Sequence, residues 1–176
     1  PPRRSSAPVL KVIGSDLRSN EPGFAESLPE VGITGLCGSG IIEVVAELFL
    51  AGVIATDGTI NGEMAARSKR IVGDGRTFSY VLQAAGERLG TPELRIAQND
   101  VRAIQLAKGA LYDGARLLMV RAGLDTVDSV KLVGAFGSHL APDHALVAGM
   151  IPDSAPCKVL SGGNTAGSGV VRARPS

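Results

Sequence analysis

Tryptophan is absent from the 176-residue chain, and aromatic residues make up only 3% of it. So sparse a set argues against the stacking platforms used to bind single-stranded nucleic acid. An excess of one charge is missing as well: 18 Lys and Arg face 17 Asp and Glu, a formal net charge of +1. That balance offers no electrostatic footprint for nucleic acid or for an anionic membrane. Cysteine is scarce, with Cys37 and Cys157 alone. Two cysteines build no disulfide framework, and no Cys-x-x-Cys pair or Cys/His cluster points to zinc or to an iron–sulfur cluster. A reducing, cytoplasmic setting is therefore expected. The most apolar stretch, Ile41 to Ala55, is broken by Glu43 and Glu47 and cannot span a bilayer. No signal peptide opens the chain, and the first residue is Pro rather than Met, so a piece of a longer protein is expected.

What is present reads as an ordinary globular protein, with 44% apolar and 20% charged residues. The length suits one domain or two small lobes. Glycine is the exception: 23 residues, roughly twice the usual ~7%. Residues 1–8 (PPRRSSAP) read as a disordered lead-in, and residues 9–176 as the folded part. Short strands are expected at Val9 to Ile13, Val31 to Leu36, Leu94 to Ala97, Ser129 to Val133 and Lys158 to Leu160. Ile71-Val72 and Thr77 to Leu82 flank Gly73-Asp74-Gly75-Arg76 and predict a β-hairpin. A helix capped by Ser39 should follow the first glycine loop and stop at Gly52. Its two glutamates lie four apart on one polar stripe, which reads as a solvated face.

The clearest helix starts at Asp100. Val101, Ile104, Ala107, Leu111, Ala115, Leu118 and Ala122 follow helical spacing and predict a buried stripe. Gly109 and Gly114 weaken that helix by about 1 kcal/mol each relative to Ala, which close approach of another element would explain. Pro142 to Gly149 predicts a short helix with Pro at a favoured first-turn position. The order of elements is that of a mixed α/β protein.

Three times a strand candidate runs into a Gly/Ser-rich turn that opens a helix: Gly35 to Gly40, Gly134 to Ser138, and Ser161 to Gly169. Ligands of open α/β sheets gather at the carboxyl ends of strands. Helix N-termini there present free N–H groups to anions. One such loop reads equally as a tight turn; three of one kind point to a shared nucleotide or phosphate cleft. None is a P-loop, because no Gly-Lys-Ser/Thr ending occurs, and none has the Rossmann spacing.

The ordered set of these segments carries a resemblance. It comprises Gly32-Ile33-Thr34-Gly35-Leu36-Cys37-Gly38-Ser39-Gly40-Ile41-Ile42-Glu43, Gln98-Asn99-Asp100-Val101-Arg102 through Gln105-Leu106-Ala107-Lys108, Leu132-Val133-Gly134-Ala135-Phe136-Gly137-Ser138-His139, Gly149-Met150-Ile151-Pro152, and Gly163-Asn164-Thr165-Ala166-Gly167. From Val31 to Val170 it resembles the C-terminal part of the reductive activators of corrinoid proteins. These belong to the superfamily of acetate and sugar kinases, actin and chaperone ATPases.

The resemblance implies part of an actin-like, ribonuclease H-like ATPase domain, a mixed sheet with flanking helices. Full-length members join a ferredoxin-type iron–sulfur domain to such a domain. They reduce the cobalt(II) corrinoid of a partner methyltransferase protein to cobalt(I), driven by ATP. In the superfamily a hydrophobic strand ending in a glycine pair cradles adenosine. Val130 to Val133 with Gly134, Ala135, Phe136, Gly137 and Ser138 matches that element, and Asn164, Thr165 and Gly167 match the start of the neighbouring helix. Gly38, Ser39 and Gly40 complete the expected nucleotide-binding set. No catalytic residue and no metal ligand is expected.

The departures are equally specific. No Asp-x-Gly-Thr phosphate hairpin occurs, and Asp57-Gly58-Thr59 lacks the spacer residue. The ferredoxin cysteines are absent too. The chain should therefore supply the adenosine side, hydrolyse no ATP by itself and hold no cluster. The implied partner is the corrinoid protein of a methyltransferase system, and a homodimer is compatible with the resemblance. A different reading makes the domain a docking or dimerisation platform for that partner. A third makes Cys37 an activated thiol at a helix N-terminus, although a small buried residue reads better there. His139 and His144, five apart, make a poor metal pair and read as surface or capping groups. Arg102 and Lys108 read as solvated, and Asp57 and Asp74 as turn residues.

Overall fold

The computed structural model describes residues 8–28, 32–87, 92–134, 139–151 and 158–162. The chain divides into two compact units, one of residues 1–36 and 60–98, the other of residues 37–59 and 99–176.

The first unit is built on a three-stranded antiparallel sheet of β1 (Ile71–Asp74), β2 (Thr77–Gln83) and β3 (Leu94–Ala97). Asp74 pairs with Thr77 across the two-residue turn Gly75-Arg76, the hairpin that the turn residues predict. On β3, Leu94 and Ile96 are buried while Arg95 between them is exposed, the alternation a one-sided sheet requires. The β2–β3 register shifts between Val81 and Gln83. Beside that irregularity the Arg70 guanidinium donates to the carbonyls of Val81 and Leu82 at 3.1 and 2.9 Å and reaches Glu87 at 2.8 Å. A bulge leaves ladder carbonyls in need of donors, and Arg70 supplies them. Burial raises the pKa of the Tyr80 hydroxyl, and the nearby Arg70 charge opposes the shift.

Two expected strands are not formed. Residues 9–13 make only an isolated bridge, Lys11 with Arg18, and Ile13 is 78% exposed. Residues 32–36 have no sheet partner among the described residues, although Ile33 is buried. β-branched residues favour extended backbone, but a strand also needs a neighbour to receive its hydrogen bonds.

The second unit holds α1 (Gly38–Leu50), α2 (Gln98–Arg121, its first residue lying in the other unit), β4 (Ser129–Leu132), α3 (Pro142–Val147) and β5 (Lys158–Ser161). β4 and β5 pair in parallel, from Ser129 opposite Lys158 to Leu132 opposite Ser161. The core cluster joins Ile42 of α1 with Leu140, Ala145, Ala148 and Ile151, and Val130, Leu132 and Val159 of the sheet pack against it. Removing a side chain such as Ile42 from water contributes about 1.5–3 kcal/mol. All three helices end alike. Gly52, Gly123 and Gly149 have positive φ, and each donates to the carbonyl three residues back while the following N–H reaches five back. This is the Schellman pattern, and it satisfies the last helical carbonyls.

Helix α2 departs from expectation in its surroundings. It begins at Gln98, two residues early, and Val101 is buried, but Leu111 and Leu118 of the predicted buried stripe are 50% and 70% exposed. Leu106, Leu117 and Val120 are exposed too. Periodicity dictates the helix; it does not say what covers it. Gly109 and Gly114 are not approached closely either: a Cβ at each would meet nothing within 4 Å among the described residues. Gly109→Ala or Gly114→Ala should therefore stabilise this chain by about 0.5–1 kcal/mol in urea denaturation. A loss of stability would show that another element lies against the helix there. Among the described residues no helix is long and apolar enough to cross a membrane.

Candidate functional site

The sheet of the second unit brings the strand ends that lead into two of the three glycine loops to one edge. Because β4 and β5 are parallel, both deliver their carboxyl ends to the same side, where α/β proteins bind ligands. The Gly162 N–H donates to the Leu132 carbonyl at 2.7 Å, so the start of the third loop lies beside the end of β4. The fit is close: a Cβ on Gly162 would stand 2.7 Å from Val133 Cγ1 and 2.8 Å from Lys131 Cε. Gly134 is the opposite case. Its φ is +98°, and a Cβ there would meet nothing within 4 Å among the described residues. Among the described residues, nothing covers the backbone at Gly134 or fills the space of a side chain there. Ala135, Phe136, Gly137, Ser138, Asn164, Thr165 and Gly167 lie outside the described residues.

The remaining glycine loop leads into α1, where Gly38, Ser39 and Gly40 form the first turn. The cap is Cys37 rather than the expected Ser39: Cys37 Sγ accepts from the Gly40 N–H at 3.4 Å and lies 3.4 Å from Ser39 Oγ. Sulfur is larger than oxygen, and glycine at position 40 gives it room, since a Cβ there would come within 3.2 Å of Sγ. Cys37 is exposed, not buried as expected. A capping role predicts that Cys37→Ser keeps the stability of the chain while Cys37→Ala loses about 1 kcal/mol. Thermal unfolding of the two variants checks this, and equal losses would remove the cap from the account.

Arg102 and Gln105, on the first turns of α2, are hydrogen-bonded to the chain, although Arg102 stays exposed as expected. They donate to the Asp57 carbonyl at 2.9 and 3.1 Å, and Arg102 also reaches Gln105 Oε1 at 2.7 Å. The Asp57 carboxylate accepts from the Thr59 N–H at 2.8 Å. That bond, a further one from Thr59 and the Arg102 charge hold its pKa below the ordinary carboxylate value. Asp57-Gly58-Thr59 is thus a turn docked on a helix, not a phosphate hairpin between strands. Asp74 ends β1, where its carboxylate accepts from Ser79 Oγ at 2.7 Å.

The Glu43–Glu47 stripe is the clearest correction. It does not face solvent alone but takes up α3. His144 Nε2 lies 2.8 Å from Glu47 Oε1, His144 Nδ1 lies 3.8 Å from Glu43 Oε1, and the Ala141 N–H reaches Glu43 Oε1 at 3.4 Å. His139 is exposed. Among the described residues no group of three His, Cys, Asp or Glu side chains could hold a metal ion.

Comparison with known proteins supplies the deciding observation. Residues 3–174 match the family described as the C-terminal domain of RACo, the ASKHA domain. This chain belongs to that family. Its fold is that of the ASKHA, or actin-like ATPase, class: mixed sheets with flanking helices. Over 142 residues it is 34% identical to the corrinoid activation enzyme RamQ of Eubacterium limosum, covering 77% of this chain and 24% of that protein. A solved structure, the reductive activator for corrinoid, iron–sulfur protein, superposes with a TM-score of 0.69 at 30% identity, covering 84% of this chain and 23% of the other. The ASKHA chain thus spans about a quarter of the length of either relative.

Proposed function

We propose that this ASKHA chain forms the adenosine-binding side of an ATP-dependent reductive activator. The longer protein would reduce the cobalt(II) corrinoid of a partner methyltransferase protein to cobalt(I). Support comes first from the backbone at Gly134, which no described residue covers, at the carboxyl edge of the parallel β4–β5 pair. Glycine lets a ligand approach the main chain closely, and a flat purine needs such a surface. The family and the names of the two relatives support the corrinoid assignment.

The fit is to the nucleoside, not to the whole reaction. ATP would bring the free energy that drives the electron uphill; this chain's share is to hold and orient the adenosine at Gly134 and the residues after it. A four-cysteine cluster cannot be assembled from Cys37 and Cys157, so the electron donor belongs to another part of such a protein. Calorimetric titration of the full-length protein with ATP and ADP tests the reading. Binding of both at similar affinity is expected, because the contacts assigned here are to the shared adenosine; no binding of either overturns it.

The second reading, a docking platform for the corrinoid partner, is favoured by the uncovered leucines of α2, with Leu106 77% and Leu118 70% exposed. Measuring partner affinity with and without ATP separates the two. Tight docking indifferent to nucleotide favours the platform, and docking that follows nucleotide favours the activator.

A further inference from the structure

His144 is held between two carboxylates. Its Nε2 lies 2.8 Å from Glu47 Oε1, and its Nδ1 lies 3.8 Å from Glu43 Oε1. Both glutamates stand on α1, one helical turn apart, and the histidine stands in the first turn of α3. Glu43 Oε1 also accepts from the Ala141 N–H at 3.4 Å. The two ring nitrogens are not equally served. Nε2 has a hydrogen-bond partner, whereas Nδ1 is buried and has none among the described residues. Other charged groups on and around α3 are its own Asp143, His139 before it, Lys108 of α2 and Lys158 of β5. Lys108 Nζ would stand 3.3 Å from a Cβ on Gly149, past the opposite end of α3. The ion pairs of the ring are with the two glutamates.

We infer that the contact between α1 and α3 is a proton-operated clasp, tighter when His144 carries a proton on both ring nitrogens. The count of donors is the reason. A neutral imidazole has one N–H. Placed on Nε2, it donates to Glu47 and leaves the buried Nδ1 lone pair toward the Glu43 carboxylate, acceptor against acceptor. Placed on Nδ1, it faces Glu43 and turns the Nε2 lone pair on Glu47 at 2.8 Å, which is worse. The doubly protonated ring offers one donor to each carboxylate, and both contacts become charge-assisted. With the clasp open, water replaces both carboxylates and the second proton loses these partners. Acid therefore favours the closed clasp, and rising pH weakens it, through the range between about pH 5 and 8 where histidine changes charge. Helix α3 has only six residues, too few to be stable alone, so a weaker clasp is felt along the whole helix. Leu140 and Ala145 keep it on the core, and α3 loosens without unfolding the unit. None of this depends on whether the chain binds a nucleotide.

Hydrogen exchange of the full-length protein reads the clasp at about pH 5.5 and at about pH 8, either side of the histidine range. The readout is the protection of the amides of residues 144–150, corrected for the intrinsic pH dependence of exchange; the N–H groups of His144, Ala145, Ala148, Gly149 and Met150 are bonded within or around α3. Wild type should lose protection about tenfold from the lower to the higher pH. His144→Gln, whose amide donates to Glu47 at either pH, should change by less than about twofold. Glu43→Gln should shrink the change to within about threefold, because its amide N–H meets the neutral Nδ1 while its amide oxygen still accepts from Ala141. Equal protection of wild type at the two pH values overturns the inference. So does an equal loss in wild type and His144→Gln, which would place the titrating group elsewhere, and so does an undiminished loss in Glu43→Gln. Should His144→Gln not fold, the wild-type and Glu43→Gln measurements decide alone.

Discussion

Gly134→Val should reduce the affinity of the full-length protein for ATP by at least about a hundredfold, equivalent to ~2.7 kcal/mol, and abolish ATP-dependent corrinoid activation. Two effects combine. Gly134 has φ +98°, which a β-branched residue adopts only under strain of about 1–3 kcal/mol. The new side chain would also project into space that no described residue fills. Gly134→Ala separates the two, because it carries comparable strain with much less volume. A much larger loss of affinity in Gly134→Val than in Gly134→Ala assigns the effect to the filled space. Equal losses would assign it to the backbone and weaken the case for a ligand lying there.

Gly162→Ala should destabilise the chain by about 1–3 kcal/mol, the largest effect expected of any single methyl added at this edge. The neighbouring atoms explain why. Lys131 Cε, at 2.8 Å from the added Cβ, belongs to a flexible side chain and can swing away. Val133 Cγ1, at 2.7 Å, and Lys131 Cγ, at 3.0 Å, have less room to give; a β-branched side chain is stiff at χ1. The methyl would therefore push the ends of β4 and β5 apart and break the 2.7 Å bond from Gly162 to Leu132. Adding Val133→Ala to Gly162→Ala removes the obstructing methyls and should recover most of the loss. Chemical denaturation of the single and double variants measures both changes, and a double variant no more stable than Gly162→Ala would place the strain elsewhere.

Local chemistry made much of this fold legible. The Gly75-Arg76 turn, Pro142 at the start of α3 and Gly52 after α1 each act within a few residues of themselves, and each element appears where they put it. What failed was whatever depends on a distant partner. Residues 9–13 and 32–36 have the composition of strands, but strandhood is a property of a pair. The apolar stripe of α2 has helical period, yet much of it stands open because periodicity names a face and not its cover. Glu43 and Glu47 looked solvated because their partners Ala141 and His144 lie almost a hundred residues away in sequence. At the site, the strand leading to Gly134 and the one leading to Gly162 were both readable. Their parallel pairing, which puts the ends of the two strands side by side, was not written in either segment alone.

A crystal structure of the full-length protein with bound ADP tests the central claim most directly. The account predicts the adenine ring in van der Waals contact with the main chain at Gly134, at the end of β4. Adenine seated anywhere else, with that backbone still bare, would contradict it.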